Sequence, residues 1–173
     1  YGYQCLESNT TGAANVAIGR NTLYANTTAS NNTAMGYNAG QAVTTGASNT
    51  IIGNAAGNSI TTGYENTCIG KSAGDAITTG NNNIIIGQSV DPDSASQAHA
   101  IVIGVGFTGS GNDFSFGKSS NVVTNDFNAD ANWSRSSDER LKKNVTNQSL
   151  GLDFINNLRT VKYNWKASNE LDS

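Results

Sequence analysis

At 173 residues with 13% charged residues and a net charge of −3, the chain is far less charged than the ~25% of an average soluble domain. That balance gives no reason to expect a nucleic-acid partner or an anionic membrane surface, and no run of ~18 apolar residues supports membrane insertion. Polarity comes instead from abundant Asn and Thr, amides and hydroxyls that hydrogen-bond along stacked turns.

The sequence opens in mid-pattern at Tyr1-Gly2, so any targeting segment is expected upstream. Residues 1–105 hold five tyrosines, no Phe and no Trp, and only Arg20 and Lys71 as basic residues. All five Phe, both Trp and the cluster of basic residues from Arg135 to Lys166 come later. Three regions follow: 1–105, a connector at 106–135, and a C-terminal segment at 136–173. The two cysteines, Cys5 and Cys68, are too few for a disulfide framework and fit assembly in a reducing cytosol.

The first region is a repeat. Gly2, Gly19, Gly36, Gly53, Gly70, Gly87 and Gly104 recur every seventeen residues. Ile18, Met35, Ile52, Ile69, Ile86 and Ile103 precede six of them. Asn15, Asn32, Asn49, Asn66 and Asn83 stand four before, with Ala100 in the sixth place. Gly12, Gly46, Gly63 and Gly80 stand seven before, each after a pair of threonines, and Ala29 takes that place once. Five positions held in register over six copies is a strong signal.

A unit of seventeen is too short for a helix pair and suits one turn of a parallel β-solenoid or β-roll, so the fold class is mainly β. The N-T-x-I-G run reads as a short strand with its Ile facing inward, on the same face as the residue after Asn. The Gly after Ile permits a tight bend, and the Gly of T-T-G is expected at positive φ in a second turn. One Asn per turn suggests an amide ladder along the stack. Six turns at ~4.8 Å each make about 29 Å of fibre. Apolar content per turn is thin, so a lone roll is marginal. The stripe Ala39-Gly40, Ala56-Gly57 and Ala73-Gly74 reads as a face for close approach of other copies, about a threefold axis, or alternatively as internal packing.

Asn32 to Gly40, N-T-A-M-G-Y-N-A-G, resembles the repeats of phage tail fibres. It is also similar to the repeats of trimeric autotransporter adhesin heads, which are parallel β-rolls in trimers. The resemblance covers residues 1–105.

In the connector, Phe114 and Phe116 alternate as in a strand. Its aromatics are expected to plug the open end of the solenoid, with a receptor-contact patch as the alternative. Further on, Ser136 and Glu139 form a capping box, which places a helix start near Ser137 or Asp138. Leu150, Phe154, Ile155 and Leu158 share a helical face, and Val161, Tyr163 and Trp165 alternate as in a half-buried strand. This segment reads as small and α+β.

Ser137-Asp138-x-Arg140-x-Lys142 resembles the S-D-x-R-x-K motif of the endosialidase-type intramolecular chaperones. The similarity extends to Lys166. Those domains end phage tail spikes and fibres, template trimerisation and, in many members, then cut themselves off. The resemblance implies a Ser/Lys dyad acting in one turnover: Ser137 attacks the Ser136 carbonyl and Lys142 accepts the hydroxyl proton, with Asp138 and Arg140 in support. A Lys can do this near neutrality only where burial or neighbouring positive charge lowers its pKa, and Arg140 and Lys143 can supply such charge. Only 37 residues follow Ser136, fewer than the family's usual length. The plain alternative makes Ser137 a helix cap and Lys142 a solvated charge.

No external substrate, cofactor or metal is expected: His99 stands alone, Asp91-Pro92-Asp93 reads as a turn, and no His/Asp/Glu group supports glycan hydrolysis. The reading is a trimeric virus fibre or spike for host attachment, made in the host cytoplasm and carried on the virion. Its expected partners are its own copies, other tail proteins and a host surface receptor. A bacterial trimeric adhesin is the alternative. An ice-binding solenoid is a weaker one, because adjacent threonines point to opposite faces of a strand.

Overall fold

A computed structural model describes residues 1–128. Within them the chain is a parallel β-solenoid of about six turns, with strands and turns and no helix. Each turn contributes one short strand: β1 (Val16–Ile18), β2 (Thr33–Met35), β3 (Thr50–Ile52), β4 (Thr67–Ile69), β5 (Ile84–Gln88) and β7 (Ile101–Val105). Neighbours pair in parallel, seventeen residues apart, as in Ala34↔Ile51 and Cys68↔Ile85. The repeat of the sequence is thus the register of the sheet. β9 (Asp113–Lys118) continues the stack on β7, and β10 (Asn121–Asp126) folds back on β9 as an antiparallel hairpin. The eight strands form one sheet, and β6 (Asp91–Pro92) pairs with β8 (Thr108–Gly109) in a second, two-stranded one.

The phase of the strands differs from the sequence expectation. The middle residue points inward: Ala17, Ala34, Ile51, Cys68, Ile85 and Val102 are all buried. The isoleucine before each glycine points out with the residue after Asn, so Ile18, Met35 and Ile103 are 36–43% exposed. Both expected residues do share a face, but it is the outer one. The conserved spacing marked a row without marking its side, because a three-residue strand has no alternation long enough to tell in from out.

Two further columns complete the core. Val43, Ile60 and Ile77 form one; Ala39, Ala56, Ala73, Val90 and Phe107 form the other. The Ala-Gly stripe is therefore interior packing and not an association face. Gly40 and Gly57 lie against the Cδ1 atoms of Ile51 and Ile60; a Cβ on either would stand 2.8 Å from that atom. Leu23, one turn before Gly40, is accommodated where the neighbouring columns carry Ala34 and Asn26. Volume lost in one column is recovered in another, which a close-packed interior requires.

The glycines after the outward isoleucines have φ of 127° to 149° from Gly19 to Gly104, and a Cβ on Gly70 would run into the carbonyl oxygen of Gly87 one turn on. No side chain fits there. The T-T-G glycines are not the left-handed residues of the second turn. Positive φ falls two residues later, on Asn31, Ser48, Glu65, Asn82 and His99 at 55° to 62°. Gly46 and Gly63 are small because the next turn's backbone passes directly over them.

The aromatics of the connector lie on different faces. Phe107 is buried and continues a core column at the C-terminal end of the stack. Phe114 and Phe116 lie on the outer face of β9, their ring centroids 5.4 Å apart. Asp91-Pro92 is part of a short strand rather than a turn alone. The helix expected near Ser137 and the C-terminal α+β segment lie outside the described residues.

Candidate functional site

Three features of the described residues stand out: a buried amide ladder, a carboxylate pair, and the outer face of the sheet.

The ladder is built from the asparagine just before each strand. Asn32, Asn49, Asn66 and Asn83 are 0–1% exposed. Asn49 donates from its backbone N–H and its Nδ2 to Asn32 Oδ1, at 2.8 and 3.1 Å, and Nδ2 also donates to the Gly63 carbonyl at 3.0 Å. Asn66 and Asn83 repeat the pattern, and the Ala100 backbone N–H donates to Asn83 Oδ1. Asn15 lies at the other end, its Oδ1 accepting from the Asn32 N–H. A buried amide is tolerated only when its donors and acceptor are used, and here all of them are. Thr27, Thr44 and Thr61 form a parallel ladder, each hydroxyl donating at 3.1 Å to the carbonyl seventeen residues on. These hydroxyls are committed to the protein's own backbone, which leaves only the second threonine of each pair for solvent.

Asp91, beside Asp75, has its carboxyl pushed up to about 6, first by burial and then by the like charge of Asp75, against the lowering effect of the Ala76 N–H that it accepts at 2.9 Å. Burial, with Asp91 as a like charge, pushes the Cys68 thiol up to about 12. That keeps it protonated and inert. Among the described residues no group of three or more His, Cys, Asp or Glu is arranged to hold a metal, and His99 is exposed at a turn. No helix among them is long and apolar enough to cross a membrane.

The outer face of the sheet runs along the whole stack. From β1 to β7 its outward strand positions carry Val, Ile, Thr, Met and one Gln, and no charged residue. At its edge, Arg20 lies between the rings of Tyr3 and Tyr37, 5.7 and 5.8 Å from their centroids. These three residues each follow a repeat glycine, so the seventeen-residue period that defines the fold also stacks cation on ring. Sequence reasoning passed over this set because the residue type at that position changes from turn to turn.

Ser137 and Lys142, with Asp138, Arg140 and the Ser136–Ser137 bond, lie outside the described residues. Residues 137–173 match the family described as chaperone of endosialidase, a peptidase family. No curated protein and no solved structure matches the chain. The protein thus joins a seventeen-residue-repeat β-solenoid to a C-terminal segment similar to the chaperone of endosialidase.

Proposed function

We propose that the chain is part of a homotrimeric virus fibre or spike, of the bacteriophage tail-fibre kind, serving host attachment. The observation that carries this reading is the chaperone-of-endosialidase match at 137–173, placed directly after a repetitive solenoid shaft. The shaft has the properties a passive fibre needs. Its turns repeat in register, the amides of its asparagine ladder are satisfied, and the Cys68 thiol is buried. In this reading it displays a tip, and the receptor on the host cell, glycan or protein, is met by copies held in parallel.

The C-terminal segment drives trimerisation and then releases itself. Ser137 Oγ attacks the Ser136 carbonyl carbon while Lys142, unprotonated, takes the hydroxyl proton. The C–N bond breaks, an ester forms between the Ser136 carbonyl and Ser137 Oγ, and the proton passes to the departing amine. Water then hydrolyses the ester, leaving a Ser136 carboxylate. Loss of the template makes the shaft trimer kinetically trapped, because the element that assembled it is gone.

The test is intact mass of the full-length gene product beside Ser137→Ala and Lys142→Ala. The expected result is cleavage between Ser136 and Ser137 in the parent and a whole chain in both variants. A parent that stays whole while assembling as a trimer overturns the cleavage step and leaves the chaperone role. A parent that is whole and monomeric overturns both.

A further inference from the structure

We infer that the outer face of the β1–β7 sheet is the surface on which copies of this chain meet, side by side and turn opposite turn. The inference rests on the self-associating reading above and assigns its contact surface. Three observations carry it.

The first is composition. Fourteen outward strand positions carry no charge, and Val16, Ile18, Met35, Ile84, Ile103 and Val105 among them are exposed aliphatic side chains. Charge is depleted at the cores of interfaces in the same way. The second is periodicity. Isoleucine and threonine recur on this face every seventeen residues, one layer per turn. Only a surface with the same layer spacing can match it over its length, and a second copy about an axis parallel to the stack does so at every turn. The third is size. Strands of three residues span ~10 Å, and the six strands β1 to β5 and β7 at ~4.8 Å span ~29 Å, so the face offers about 290 Å². A stable pairwise interface needs about 800 Å² per partner. The face is too small to recruit a free partner and large enough to lock copies already held together, since tethering raises their effective concentration. A C-terminal assembly segment is the kind of tether this face requires.

The test uses the full chain with Cys5→Ser, which leaves Cys68 buried and unreactive. One variant adds Thr50→Cys, on the outer face, and another adds Thr62→Cys, in the exposed threonine row of the second turn. Each is treated with a short bis-thiol crosslinker, and solution mass is measured in parallel. The expected result is a multimeric mass for both, with covalent multimers captured at least tenfold more in Thr50→Cys. Multimeric mass with capture at Thr62→Cys, or equally at both positions, overturns the face assignment and leaves self-association standing. Monomeric mass with no capture at either position overturns the assignment and the self-associating reading together. As a second measure, Ile52→Gln with Ile69→Gln is expected to weaken association at least tenfold, whereas Thr45→Gln with Thr62→Gln leaves it unchanged.

Discussion

Asn49 serves three neighbours at once. Its Oδ1 accepts from both the backbone N–H and the Nδ2 of Asn66, and its Nδ2 donates to the Gly63 carbonyl and to Asn32 Oδ1. Asn49→Ala therefore leaves buried donors on Asn66 and a buried carbonyl without partners, at about 1–3 kcal/mol for each group that stays dry. We expect a loss of about 2–4 kcal/mol in denaturant unfolding, far more than one surface hydrogen bond is worth. Asp91 acts in the opposite direction. Its folded pKa of about 6 lies above the ordinary value of 3.8, so the folded chain binds the extra proton between those values and stability falls as pH rises through that window. The pair is partly solvated, and after discounting for screening the penalty at neutral pH is about 1 kcal/mol. Asp91→Asn, which keeps an oxygen for the Ala76 N–H, should melt higher than the parent at pH 7.5. The gap should close below pH 4. A gap that is constant across that range would remove the carboxylate from the explanation.

At the scale of the strand, the sequence made the period legible and left the phase hidden. Asn and Gly could be placed because each has a backbone reason to recur: an amide can ladder, and a bend over the next turn's carbonyl excludes a Cβ. Gly70→Ala accordingly meets both a φ of 127° and the Gly87 carbonyl, and should cost more than about 3 kcal/mol or prevent folding. Isoleucine has no such signature, and its hydrophobicity points equally to a core or to an interface. Only the buried middle positions, occupied by residues as unlike as Ala34, Ile51 and Cys68, decide between them. Their variation concealed them from a repeat search. The distinction is measurable. Ile51→Ala should cost about 2–5 kcal/mol at any protein concentration. Ile52→Ala should cost less than about 1 kcal/mol at dilutions where copies separate, and more where they associate. The Ala-Gly stripe misled for the complementary reason, since small residues serve close approach of a neighbouring chain and close packing of an isoleucine equally well.

For the whole molecule, the seventeen-residue turn converts one short sequence motif into a shaft whose sheet, ladders and outer face all extend with each copy. Such a shaft is held mainly by contacts between adjacent turns, and its stability grows with turn number. The proposed function makes it one of several copies brought together by the C-terminal segment, and the thin core and narrow outer face support that proposal. The most direct test of that account is sedimentation equilibrium of the full chain at micromolar concentration. With Ser137→Ala keeping the chain whole, the account predicts a single species at three times the 18.0 kDa protomer. A stable species at 18.0 kDa would contradict it.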